Sequence, residues 1–166
     1  PEVLVTSMRV HQKFFALSQT GAKEKLAPFF MTVTNRRSDL ANDKLIAAGN
    51  ERVLRARLAD AKFFHEQDKQ TPLDSLAEKL EVITFYEGLG SVADKAERMA
   101  ALAGAIANHL DVADPDTARR AAVLAKVDLA SEMVGEFPEL QGIMGGYYAT
   151  AAGEATDVAD ALTQHY

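Results

Sequence analysis

From Asn50 to Phe64 apolar and polar residues recur with the period of a helix. At 100° per residue Val53, Leu54, Leu58, Ala61 and Phe64 share one arc, and Arg52, Arg55 and Lys62 gather opposite it. Arg57 departs from the pattern, because its angle sets it inside the apolar arc between Val53 and Leu54. An unpaired guanidinium there would cost several kcal/mol, so the pattern predicts a helix with a basic outer stripe and one buried ion pair. Upstream the period changes to two. Leu4, Thr6, Met8 and Val10 alternate through Val3–Gln12, as a half-buried strand would, and Phe14-Phe15-Ala16-Leu17 continues or pairs with it. Ser18–Lys25 reads as a turn, and Pro28–Asn35 alternates again through Phe29, Met31 and Val33. Residues 1–37 therefore form a small antiparallel β element. Ser38 or Asp39 caps the basic helix, which runs to about Lys69 with a break expected at Gly49-Asn50.

The remainder reads as helices. Thr71 caps one with Pro72 in its first turn, and Leu73, Leu76, Leu80 and Ile83 supply its apolar face. Gly88-Leu89-Gly90-Ser91 ends that pattern, and Ser91 with Asp94 opens a long helix to about Leu110. Asp114-Pro115 opens another, expected to end near Ser131 or to run on to Glu136. Phe137-Pro138 is a break, Gly142–Gly146 a flexible Gly-rich stretch, and Asp157–Tyr166 a last short helix. The fold class is thus mainly α with a small N-terminal antiparallel β element, divided into 1–37 and a helical domain over 38–166.

The length of 166 residues is enough for a real core, and 48% hydrophobic with 25% charged residues is an ordinary soluble composition. No apolar run approaches the ~20 residues a membrane helix needs, so no membrane contact is expected. The absence of cysteine excludes a disulfide framework and a thiolate metal site, and fits a cytoplasmic location. The chain starts at Pro1 without an initiator Met and reads as a piece of a longer protein. Its net charge of −6 conceals an asymmetry: residues 1–70 carry twelve Lys/Arg against eight Asp/Glu, and residues 71–166 carry six against sixteen. Only the first part has the sign a nucleic acid requires. Arg36, Arg37, Arg52, Arg55 and Lys62 are its candidate phosphate contacts.

Catalytic chemistry is harder to find. His11, His65, His109 and His165 show no i, i+4 pairing for a helical metal site, and no nucleophile elbow, P-loop or dinucleotide fingerprint is present. Asp128, Glu132 and Glu136 fall at helical spacing, with Glu139 beyond, but lack a His or Cys to work with. Asp128 borders the apolar arc of its own segment and is the preferred partner for Arg57, ahead of Glu132 and Glu136.

Gly90–Ala103 resembles the opening helix of the HD metal phosphohydrolase superfamily, and Ala121–Leu129 its second motif. In that superfamily a His, a His-Asp dipeptide and a later Asp gather metals that activate water against a phosphoester. This chain has no His-Asp dipeptide. Ala125 and Lys126 stand about where it would be, and an ammonium repels a dication. The resemblance implies an HD-like helical domain without the metal site, and therefore no catalytic residue and no metal.

A wider resemblance covers nearly the whole chain. Ser7–Phe15, Gly49–Phe64, Gly88–Ser91 with Asp94-Lys95, Asp128-Leu129, Glu132–Gly145 and Tyr147–Ala149 keep the order in which they occur in the β subunit of the bacterial two-subunit glycine–tRNA ligase. Ala56 stands where relatives often have Pro, which favours an uninterrupted helix. The resemblance implies an internal fragment of β that contributes to tRNA recognition and subunit architecture. ATP, with magnesium, and glycine would react on the α subunit, so the fragment itself would hold no cofactor. Its partners would be the α subunit, the rest of β and tRNA(Gly). The alternatives are an HD-type phosphohydrolase with an unusual metal site, or a purely structural assembly domain.

Overall fold

The structure, a computed structural model, describes residues 2–37, 39–111 and 113–166. Contacts divide the chain into two compact units, residues 1–63 and 64–166. The division falls within a long helix, and the boundary expected at 37/38 lies just ahead of that helix.

The first unit opens with α1 (Glu2–Thr6), which runs into a π-helical turn, Ser7–His11. The strand expected over Val3–Gln12 is therefore replaced by helix. The reason is visible in burial: neighbouring Ser7 and Met8 both point inward, which the alternating faces of a strand forbid. The Phe14 N–H donates to the Met8 carbonyl at 3.0 Å and folds the chain back at Lys13, whose φ is 56°. Next come β1 (Phe15–Gln19) and β2 (Ala22–Met31), antiparallel, pairing Phe15 with Met31 and Ala16 with Phe30. The expected hairpin is present, with a tighter turn at Thr20-Gly21, where Gly21 has φ 78°. One hairpin face meets Met8, Phe14 and Leu54, with Phe30 stacked on Phe14 at 4.7 Å and Leu58 beside them. The other face leaves Phe15, Phe29 and Met31 exposed.

Helix α2 (Leu40–Asp68) is continuous through Gly49-Asn50, so the expected break does not occur. Asp39 caps it, accepting from the Ala41 N–H at 3.2 Å, while the alternative cap Ser38 lies outside the described residues. At 1.5 Å per residue it is about 43 Å long.

The second unit is helical apart from one small hairpin. It comprises α3 (Leu73–Lys79), a 3₁₀ turn at Leu80–Val82, then β3 (Thr84–Tyr86) and β4 (Gly90–Ser91), which pair antiparallel. Pro72, not Thr71, occupies the N-cap of α3, with no side-chain cap bond. Helix α4 (Val92–Leu110) starts as expected at a capping box: the Asp94 N–H donates to Ser91 Oγ at 3.1 Å, and the Ser91 N–H to Asp94 Oδ2 at 2.6 Å. These bonds from Ser91 hold the Asp94 carboxyl below its ordinary range. Helix α5 (Pro115–Leu124) packs along α4, whose buried face is small, Ala96, Ala100, Gly104 and Ala107. Asp114 caps α5 through the Thr117 N–H at 2.7 Å.

Beyond Leu124 the expected long helix is replaced by three short pieces: 3₁₀ Val127–Ala130, α6 (Glu132–Glu136) and 3₁₀ Pro138–Leu140. The physical reason is core filling. Val127, Met133, Phe137 and Leu140 are all buried, and no single helix face carries that spacing. The Gly142–Gly146 stretch is not a loop but the start of α7 (Ile143–Ala152), which packs on α8 (Thr156–Gln164). A Cβ at Gly146 would lie 3.1 Å from the Ala159 carbonyl, so the glycine permits the close approach of α8.

Arg120 ties three elements of this unit together. From α5 its Nη1 reaches Asp74 Oδ1 of α3 at 2.6 Å, and its Nε and Nη2 reach Glu154 Oε1, just past α7, at 3.1 and 2.5 Å. These bonds raise the guanidinium pKa further above its ordinary value. Arg120→Ala should lower unfolding stability by about 2 kcal/mol in denaturant titration, since it strands two carboxylates at a partly solvated site. Arg120→Lys should recover only part of the loss, because an ammonium cannot reproduce the planar fork.

Candidate nucleic-acid interface

Two groups of polar residues compete for functional attention: the cations of α2 and the buried carboxylates of the second unit. In the first unit Arg52, Arg55 and Lys62 are exposed, and Leu54 and Ala61 are buried. Val53 is 46% exposed, so the apolar arc is narrower than its period implies. Arg36 and Arg37 are exposed in the segment that leads from β2 to α2. Among the described residues no carboxylate pairs with any of these five cations. Unpaired cations on a rigid helix can contact phosphates without first breaking an internal ion pair. Arg57 sits half-buried on the same helix.

The buried acids perform a different task. Asp68, at the end of α2, accepts from the Glu132 N–H at 2.9 Å and the Met133 N–H at 3.0 Å. It also accepts from the Tyr148 hydroxyl at 2.7 Å. Ser131 Oγ accepts from the Val134 N–H at 3.2 Å, so Asp68 and Ser131 together satisfy the first turn of α6. Burial and the Asp68 carboxylate push the Tyr148 phenol well above its ordinary range. Asp128 does the same for α7, accepting through Oδ2 from the N–H groups of Gly142 at 2.5 Å and Gly145 at 3.1 Å. Gly142 has φ 81°, and a Cβ there would strike the Tyr166 ring. The contacts that hold Asp128 within this unit are thus backbone donors, a task distinct from the ion pair with Arg57 expected from sequence.

Asp128 is the only member of the carboxylate series that is buried; Glu132, Glu136 and Glu139 are exposed. Their expected common face is lost because the chain turns at Ser131 and again at Phe137. Ala125 is buried, and the Lys126 ammonium lies 3.7 Å over the Tyr166 ring. Burial, with Lys95 nearby, lowers the Lys126 pKa. Among the described residues no three His, Asp or Glu side chains gather to hold a metal. Asp68 and Arg120 escaped notice in the sequence because neither belongs to a motif. Their partners lie between 34 and 80 positions away and become neighbours only on folding.

Fold and site together define a class: a predominantly helical module whose internal carboxylates hold helix N-termini and whose long helix turns a row of cations to solvent. The family described as Glycyl-tRNA synthetase beta subunit matches residues 1–166. The chain is 51% identical over 165 residues to the Glycine–tRNA ligase beta subunit of Azotobacter vinelandii, a match that covers 99% of this chain and 23% of that protein. It is 51% identical over 167 residues to the same subunit of Rhodospirillum centenum, and 45% identical over 173 residues to that of Gloeothece citriformis. In both, 99% of this chain and 23% of the relative are covered. The chain belongs to the glycyl-tRNA synthetase beta subunit family and spans 23% of the length of these curated relatives.

Burial lifts the Asp128 carboxyl above its ordinary value of 3.8, outweighing the Gly142 and Gly145 bonds and the charges of His165 and Lys126 that lower it. The unfolded chain therefore releases this proton first as pH rises. The contribution of the group to stability is complete below pH 3.8 and is lost as pH climbs through the higher folded value. Comparing wild type with Asp128→Asn by thermal unfolding at a series of pH values should show a downward slope in that window for wild type alone. Asp128→Ala removes the acceptor for two backbone N–H groups and should cost about 3 kcal/mol at neutral pH.

Proposed function

We propose that this chain is an architectural and RNA-contacting module of a bacterial two-subunit (α2β2) glycine–tRNA ligase, and is itself non-catalytic. The observation that carries the reading is the exposed basic face of α2, Arg52, Arg55 and Lys62, with Arg36 and Arg37 upstream, none of them ion-paired among the described residues. Its warrant as a tRNA surface is membership of a family whose relatives are ligases for tRNA. The cations neutralise phosphates, which gives salt-sensitive affinity with little base preference, and the acidic balance of residues 71–166 steers RNA away from the rest of the chain. Glycine activation by ATP and magnesium takes place on the α subunit. The partners are that subunit, the rest of β and tRNA(Gly), in the cytoplasm. Among the described residues no helix is long and apolar enough to cross a membrane.

The second unit serves as an HD-like scaffold. By the resemblance Ala125 and Lys126 stand about where that superfamily has its His-Asp dipeptide; Lys126 lies over the Tyr166 ring, and no metal cluster forms among the described residues, which argues against a phosphohydrolase. A second role, in assembly, is favoured by the exposed Phe15, Phe29 and Met31 of the hairpin. A two-stranded hairpin is marginal alone, and this face suits residues 1–37 to a larger body formed with the rest of β.

In the complete ligase, Arg52→Glu with Arg55→Glu should raise the KM for tRNA about tenfold or more and leave glycine-dependent ATP–pyrophosphate exchange unchanged. An unchanged tRNA KM in a folded, assembled variant would make this face structural.

A further inference from the structure

Helix α2 carries a fourth exposed cation, Lys44, in line with Arg55 and Lys62. Lys44 and Lys62 are eighteen residues apart, which is five helical turns, so both point in the same direction about 27 Å from one another along the axis. Arg55 lies ~20° and Arg52 ~80° round from that line, and the gaps are filled by the exposed small residues Ala48 and Ala59. Lys44, like the other three, is exposed and without an ion pair among the described residues. The helix's acids do not cancel the line. Asp43 and Asp60 point elsewhere, and Glu66 beyond Lys62 is engaged by Lys69 at 3.1 Å. Glu51 lies ~20° from the line, as near it as Arg55 on the other side, and is outnumbered there by Lys44, Arg52, Arg55 and Lys62.

We propose that this line from Lys44 to Lys62 is a docking ridge for double-helical RNA, with Lys44 as its N-terminal phosphate contact. The proposal rests on the tRNA-contacting reading above and adds to it the class of RNA. A single strand is held by aromatic platforms on which bases stack. Phe63, the exposed aromatic of α2 nearest the ridge, lies ~100° round the helix from Lys62, and the ridge itself offers cations, methyl groups and the Glu51 carboxylate but no ring. Such a surface reads the regular phosphate array of a duplex and follows it without regard to sequence. The alanines let a sugar–phosphate backbone approach the helix closely.

The test uses the complete ligase and measures binding of fluorescent tRNA(Gly) by anisotropy over a range of salt, with a short RNA duplex or oligouridine as competitor. Lys44→Glu should weaken tRNA binding roughly three- to tenfold and reduce the slope of log K against log salt by about one. Lys44→Gln should give a smaller loss in the same direction. Lys79→Glu, an equal charge change in the second unit, should leave binding unaltered. The duplex should compete well and oligouridine poorly. If Lys44→Glu binds normally while Arg52→Glu with Arg55→Glu does not, the ridge is overturned and the tRNA reading stands. If neither variant changes binding, the tRNA reading itself fails. Equal competition by oligouridine overturns the duplex assignment. Loss of subunit assembly in folded Lys44→Glu, with tRNA affinity intact, would overturn the proposal and assign the ridge to an acidic protein surface instead.

Discussion

Two carboxylates, Asp68 and Asp128, supply acceptors where short helices begin inside the second unit, and much of that unit depends on them. Helix α6 has five residues and α7 opens on glycines, so neither has the length or composition to form unaided. Their first N–H groups lie within the packed interior, where water cannot serve them. A charged acceptor at a helix N-terminus satisfies those donors and meets the positive end of the helix dipole. With α6 and α7 held in this way, Met133, Val134, Phe137, Leu140 and Met144 can all be buried in one short stretch of chain.

The same arrangement bears on hydrolase chemistry. In a metal-dependent phosphohydrolase, buried carboxylates are ligands whose oxygens must stay open to a cation. Here both oxygens of Asp68 and Oδ2 of Asp128 accept from the protein's own backbone or from Tyr148. Lys126 adds a positive charge near Asp128, directed at the Tyr166 ring. Both oxygens of Asp68 and one of Asp128 are thus committed to holding the fold. That leaves surface charge as the means by which the module is proposed to act, and among the described residues α2 and the segment before it carry a row of exposed cations without ion pairs.

The division of labour between the two units follows from their cores. The first unit has a modest one, Met8, Phe14 and Leu54, and exposes aromatic residues on its hairpin. The second has fully buried Leu76, Leu80, Leu124, Phe137 and Leu162 and an ion-pair clasp at Arg120. The second unit is thus the better packed of the two, and the first carries the row of exposed cations on α2.

How much of this was legible in the sequence depended on how local the cause was. The α4 capping box at Ser91 and Asp94, the Asp114 cap of α5 and the exposed cations of α2 are set by residues within one or two turns, and the spacing revealed them. The family was legible too, because long runs such as Gly49–Phe64 keep their order. The helix at Glu2–Thr6, the breaks after Leu124 and the helix that runs through Gly145 and Gly146 were not. Each reverses a local preference, and each is stabilised by a partner far away in sequence: Leu54 for Met8, Asp68 for α6, Asp128 and Ala159 for α7. Periodicity records which residues prefer the interior. Only the tertiary structure decided which backbone donors would be buried with them, and therefore which acids had to follow.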